Sequence, residues 1–204
     1  MLDRKKHWEK IYGEKKPDEV SWYQAHPQRS MELIGQAAIA KDGSLIDVGG
    51  GASRLVDLLL DEGFRHVSVL DISAGALAYA KERLGPRAKD VTWLESDITT
   101  FVPNGTYDLW HDRAVFHFLT EEIERKKYLD SARRALKSGG HLILAAFALD
   151  GPEKCSGLPV RRYDAALLQE TLGADFALLR EIPESHKTPW ETEQKFNYFL
   201  LKKK

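Results

Sequence analysis

The stretch LIDVGGGASRLVDLLL, residues 45–60, limits what this chain can fold into more than any other. An apolar run ends at Asp47, Gly49, Gly50 and Gly51 follow, and a second apolar run resumes with helical spacing. A strand, a tight glycine turn and a helix in that order leave backbone N–H groups and a helix N-terminus facing an anionic group. The pattern then repeats without the glycines. HVSVLD (66–71) is a second strand, and Ser73 is placed to cap the helix AGALAYAKERL, which stops at Gly85-Pro86. VTWLESD (91–97) and TYDLWHD (106–112) read as strands three and four. EEIERKKYLDSARRAL carries Ile123, Leu129, Ala132 and Leu136 at helical spacing, and Ser138-Gly139-Gly140 breaks it before a fifth strand, HLILAAF. Strands alternating with helices predict an α/β, doubly wound, mostly parallel sheet with helices on both faces.

The two ends depart from that alternation. Residues 150–162 form an irregular segment and YDAALLQETLG a short helix; FALLREI and KFNYFLLKK are then two strands joined only by the loop TPWETEQ. A parallel pair needs a crossover of about a dozen residues or more, so the last strand is expected to run antiparallel. Ahead of the sheet, helix candidates around Arg4 to Tyr12 and Gln28 to Ala40 flank a polar loop containing SWYQ. The expected division is a helical lid or cap over 1–43 and a core over 44–204, within a single domain.

Bulk properties narrow the partners. Thirty basic against thirty-one acidic side chains, for a net charge of -1, give no field that gathers nucleic acid or anionic lipid. One cysteine, Cys155, rules out an intrachain disulfide and a Cys-rich zinc site and suits a reducing compartment. The start MLDRKKHWEK lacks the apolar stretch of a secretion signal, and no run nears the roughly 20 residues that span a bilayer. A cytoplasmic monomer without metal, membrane or nucleic-acid partner is expected.

The glycine turn discriminates among ligands. The dinucleotide pattern G-x-G-x-x-G fails at Arg54, and no Gly-Lys-Ser/Thr follows to make a phosphate loop. What remains is acid-x-Gly-x-Gly-x-small, from Asp47 through Gly49 and Gly51 to Ser53, with Asp71 closing the second strand and Asp97 the third. Acids at the carboxyl ends of adjacent parallel strands line one crevice, where open α/β sheets bind ligands.

This ordered set resembles the class I, seven-strand S-adenosylmethionine-dependent methyltransferases, over nearly all of residues 44–204. The resemblance implies a Rossmann-like seven-stranded sheet and S-adenosylmethionine as cofactor, with S-adenosylhomocysteine as product. It implies that DVGGGAS, with Asp47, Gly49, Gly50 and Gly51, holds the methionyl part, and that Asp71, followed by Ile72, takes the ribose hydroxyls. Asp97 and Ile98 would meet the adenine, and Asp112 and Arg113 would lie near the sulfonium and the acceptor. WEKIY and SWY, with Trp8, Tyr12 and Trp22, are similar to the N-terminal lid of a small subgroup that includes protein-lysine methyltransferases. Ser53 stands where glycine is commoner, which a helix N-cap tolerates.

The chemistry read from the residues agrees. One carboxylate accepts hydrogen bonds from two vicinal hydroxyls, which suits Asp71. Methyl transfer is an in-line displacement from an activated sulfonium, so positioning contributes most and a base is needed only for a protonated acceptor. Asp112 is the candidate for orienting that acceptor and His117 for taking its proton, whereas a short helix over 114–119 would turn His117 away. The acceptor is expected to be an amine, on the resemblance to the lysine enzymes. The alternative is a small thiol, hydroxyl or carboxylate enclosed by WYQ, FHF, the CSGLP loop and TPW. A nicotinamide oxidoreductase and a catalytically silent cofactor-binding module are the remaining readings.

Overall fold

The computed structural model describes residues 3–204. Seven strands form its main sheet: β1 (Ser44–Val48), β2 (His66–Asp71), β3 (Val91–Glu95), β4 (Tyr107–Arg113), β5 (Leu136–Phe147), β6 (Phe176–Lys187) and β7 (Glu193–Lys203). Their spatial order is β3-β2-β1-β4-β5-β7-β6. The first five are parallel to one another, and β7 runs antiparallel to both β5 and β6. The chain winds outward from β1 to β3 and returns beside β1 as β4. The crevice outside the carboxyl ends of β1 and β4 is therefore the switch point where such sheets hold ligands.

Six helices accompany the sheet: α1 (Arg4–Glu14), α2 (Gln28–Ala37), α3 (Leu55–Asp61), α4 (Ala74–Leu84), α5 (Glu122–Ala135) and α6 (Ala165–Leu172). Alternation along each strand divides the apolar side chains between two faces. Trp110, Leu142, Leu144 and Leu201 pack against Tyr128, Leu129 and Ala132 of α5 and Leu168 and Leu172 of α6. Leu45, Val67, Leu109 and Ile143 pack on the other face against Leu33 and Ile34 of α2, Leu55 and Leu59 of α3, and Leu77 of α4. Each of these leucines and isoleucines contributes about 1.5–3 kcal/mol by burial. α2 thus belongs to the core layers, although it lies inside the 1–43 range expected to form a lid.

Local signals account for most boundaries. The Ser73 hydroxyl accepts the Ala76 N–H at the start of α4, and Gly85, at φ +57°, ends it. Ile123 departs from expectation: at roughly 100° per residue it falls about 120° away from Leu129, on the outer face of α5, and is exposed. The buried stripe runs through Tyr128, Leu129, Ala132 and Ala135 instead. Gly139 and Gly140 do not precede β5 but sit inside it, where a register shift against β4 accommodates them. A Cβ on Gly140 would stand 2.9 Å from the Lys137 carbonyl oxygen, so the strand continues past this point as a bulge that admits no side chain. β6 and β7 extend well beyond the expected limits and close a long hairpin; Pro183 fits because β6 is an edge strand. Within the irregular segment, residues 154–155 and 158–159 form a small separate hairpin that brings Cys155 over the crevice.

Candidate active site

The crevice is built around the turn after β1. The backbone reverses at Gly49, with φ +71°. A Cβ on Gly50 would lie 2.3 Å from Asp47 Oδ2, and one on Gly51 would lie 2.4 Å from Asp71 Oδ2. Two carboxyl groups therefore press directly on the turn, and only glycine leaves them room.

Asp71 closes β2 with 6% of its surface exposed and accepts the Ser73 N–H at 2.9 Å. Burial raises its pKa from the ordinary 3.8 to about 7, against the pull of hydrogen bonds from Ser73, Gly51 and Ile72 and with a further push from Asp47. Asp97 follows β3 in a turn that it holds itself, accepting Thr99 N–H at 2.8 Å and the Thr99 hydroxyl at 2.7 Å. Gly49, Asp71, Ile72, Asp97 and Ile98 line one elongated cavity together with Trp8, Tyr12, Trp22 and Arg113. Asp47, Gly49 and Gly50 line its continuation on the other side of the turn, which shares Tyr12, Trp22 and Arg113. Of the candidate cofactor residues, Gly51 and Asp112 are not part of this lining.

Asp112 and His117, expected to act on the acceptor, are not brought to the cavity. Asp112 is fully buried on the α5 side, accepting N–H bonds from Val115 and Phe116 and the Tyr128 hydroxyl at 2.7 Å. Burial lifts its pKa to about 6 despite those bonds. Its neighbours on β4 alternate faces, so Asp112 and Arg113 point to opposite sides of the sheet, and of the two only Arg113 lines the crevice. His117 lies in a short 3-10 turn, Phe116–Phe118, packed on Phe118 and Phe147 with no exposed surface. Burial, then the charge of Arg113, depress its pKa to about 3, and neither ring nitrogen has a partner among the described residues. It is a neutral packing residue at neutral pH, as the short-helix alternative implied.

Arg113 is the charged group that reaches inward. Its Nε donates to the Tyr198 hydroxyl at 2.8 Å and its Nη1 to the Trp22 carbonyl at 2.7 Å, while Nη2 has no partner among the described residues. Trp8 packs edge-on against both Trp22 and Phe118, at 5.6 and 5.2 Å between ring centroids, and so closes an aromatic wall beside it. Cys155 faces the same cavity, with burial pushing its thiol up to about 12 although Arg113 pulls the other way.

Three participants have only weak sequence signals. Glu9 of WEKIY accepts from the Ser73 hydroxyl and from the N–H groups of Ala74 and Gly75, fastening α1 to the start of α4. Burial alone would raise its pKa; those three bonds outweigh it and hold the carboxyl below its ordinary 4.5. His111 and Ser30 form a chain with Asp47, the His111 ring lying 2.7 Å from Asp47 Oδ1 and 2.9 Å from the Ser30 hydroxyl. Glu9 lies between the aromatics of WEKIY, but no local pattern assigns it to α4, and nothing in the sequence pairs Ser30 with His111.

The residues fit a bound S-adenosylmethionine. Asp47 Oδ2 is buried without a partner among the described residues and would receive the ammonium group, the glycine turn offers N–H groups for the carboxylate, and Asp71 suits vicinal hydroxyls. The strand order, the antiparallel β7 and a ligand crevice at the β1–β4 switch point define the class I methyltransferase fold. A family model described as a methyltransferase domain matches residues 46–144. It is 26% identical over 149 residues to the eEF1A lysine and N-terminal methyltransferase of Mus musculus, covering 70% of this chain and 21% of that protein. It is 31% identical over 121 residues to thiocyanate methyltransferase 1 of Brassica oleracea, covering 58% of this chain and 52% of that protein. The chain thus spans about a fifth and about half of these two relatives. A crystal structure of a SAM-dependent methyltransferase from Anabaena variabilis superimposes on all of this chain and 96% of its own, with a TM-score of 0.75 at 16% identity. Among the described residues no helix is long and apolar enough to cross a membrane.

Proposed function

We propose that this domain transfers the methyl group of S-adenosylmethionine to a small anionic acceptor, a carboxylate or a thiolate, held beside Arg113. The observation that carries this reading is a cation without a carboxylate partner among the described residues, in the aromatic part of the same crevice that Asp71 and Asp97 line. Arg4, the other arginine bordering that cavity, is also cationic, and its charge is already met by Glu124. An incoming lysine ammonium would meet repulsion there, and the carboxyls of the crevice, Asp47, Asp71 and Asp97, belong to the cofactor side. The lysine acceptor expected from the sequence is therefore set aside, even though one relative is named for lysine methylation. Thiocyanate, named for the Brassica relative, is itself an anion.

The bound cofactor supplies a methyl already activated on a sulfonium. This chain's own residues supply the rest. The aromatic wall of Trp8, Trp22 and Phe118 excludes water, and Arg113 orients the acceptor and favours its ionised form. An acceptor that arrives as an anion needs no proton removed, which agrees with the burial of Asp112 and His117 away from the cavity.

The test is a labelled-methyl assay over small carboxylates, thiols and thiocyanate on one side, alkylamines and lysine peptides on the other. Turnover is expected with the anions. Arg113→Gln should lower kcat/KM for the acceptor by about ten- to a hundredfold, the worth of one charge-assisted hydrogen bond, and leave the cofactor dissociation constant unchanged. Preferential methylation of amines would overturn the reading. A loss confined to cofactor affinity would assign Arg113 to the cofactor's own carboxylate.

A further inference from the structure

Three buried polar side chains from three elements form one hydrogen-bonded chain on the sheet face opposite Asp112. Asp47 on β1 and His111 on β4 are register partners, so their side chains stand abreast on the same face. His111 Nδ1 lies 2.7 Å from Asp47 Oδ1, and Nε2 lies 2.9 Å from the hydroxyl of Ser30 in the first turn of α2. All three are at most 2% exposed.

Both ring nitrogens of His111 are engaged, so the ring cannot flip without losing two hydrogen bonds, and the orientation of Asp47 is fixed with it. That orientation leaves Oδ2 unpaired against the glycine turn, where a Cβ on Gly50 would stand 2.3 Å away. A carboxylate oxygen kept dry and unpaired is costly, and the deficit is repaid only by a ligand bringing a donor. Asp47, Ser30 and His111 line the same arm of the crevice, beyond Gly49 from Asp71 and Asp97. If the ribose and adenine lie at those two acids, this arm is left for the amino-acid tail, whose ammonium is the ligand's one cationic hydrogen-bond donor.

We propose that His111 and Ser30 are positioning residues for the cofactor's amino-acid tail, acting through Asp47 to hold Oδ2 ready for the ammonium group. The proposal rests on the reading of the crevice as an S-adenosylmethionine site. It makes α2 a selective support: the chain Ser30–His111–Asp47 serves the tail and leaves the adenosine half alone. A merely structural tie would loosen both halves together.

The two cases separate by calorimetry on the full chain with two probes. S-adenosylhomocysteine carries the amino-acid tail, and 5′-methylthioadenosine has the same adenosine and thioether without it. Ser30→Ala and His111→Phe are expected to weaken S-adenosylhomocysteine by about tenfold or more while the methylthioadenosine dissociation constant stays put. Ser30→Thr, which restores the hydroxyl, should return the wild-type value. Ser30→Ala removes one oxygen only and keeps the test open if His111→Phe fails to fold. Equal weakening of both probes, or no weakening of either, would overturn the proposal while leaving the site reading intact. A wild-type chain that binds neither probe would instead sink the site reading, and the proposal with it.

Discussion

At the scale of single residues, Asp71 carries the sharpest consequence. Its pKa of about 7 in the folded chain lies above the ordinary 3.8, so between those values the native state holds a proton that the unfolded state has released. This contribution to stability is full below the unfolded value and is lost as pH rises through the folded one. If Asp71 takes the two ribose hydroxyls, cofactor binding runs the other way, because the ionised carboxylate is the better acceptor. Affinity for S-adenosylhomocysteine should therefore rise between about pH 6 and about pH 8 and then level off. Asp71→Asn should flatten that rise and weaken binding at the upper end by about ten- to a hundredfold, measured by calorimetry at each pH. An unchanged dissociation constant in the variant would remove Asp71 from the site. The place of Asp71 at the crevice could be read from the sequence because strand ends and glycine turns are local patterns. The type of His117 suggests proton transfer, but its packing depends on Phe147, 30 residues further along the chain, which no local pattern brings to it.

At the scale of elements, the contact between α1 and α4 is the informative one. Helix α4 already has its own cap in Ser73, which takes the Ala76 N–H, and Glu9 adds a carboxylate over the neighbouring N–H groups of Ala74 and Gly75, where the helix dipole favours negative charge. Removing it leaves Ala74 and Gly75 to water but unfastens α1 from the core. Glu9→Ala is expected to lower unfolding free energy by about 1–2 kcal/mol, read from urea denaturation, and to speed amide exchange in α1. Unaltered exchange would mean that the packing of Trp8 on Trp22 and Phe118 holds α1 by itself. The helices and strands around this contact were legible in the sequence, because caps, glycines and apolar spacing are short-range signals. Which helix Glu9 would cap was not, since 64 residues separate it from Ser73.

At the scale of the whole molecule, the N-terminal 43 residues divide in function. α2 is locked into the core by Leu33 and Ile34, whereas residues 4–25 cross the crevice with the half-buried side chains of Trp8, Tyr12 and Trp22. Any closing over a ligand would therefore fall to the earlier segment. Adding S-adenosylhomocysteine should slow hydrogen exchange over residues 4–25 and leave the middle of α2 as protected as before. Equal protection of 4–25 with and without ligand would make that segment permanent scaffold.

The sequence by itself determined the winding of the sheet, the antiparallel final strand, the glycine turn and the acids that border it. Each of these follows from periodicity, loop length or a backbone that admits no Cβ, all properties of neighbouring residues. The tertiary structure alone decided which polar side chains face the crevice. Asp112 and Arg113 are adjacent in sequence and point to opposite faces, and only the packing of α5 on one of them says which is core. Ser30, His111 and Asp47 meet because α2 lies across two strands that pair in register, a relation that no local pattern encodes.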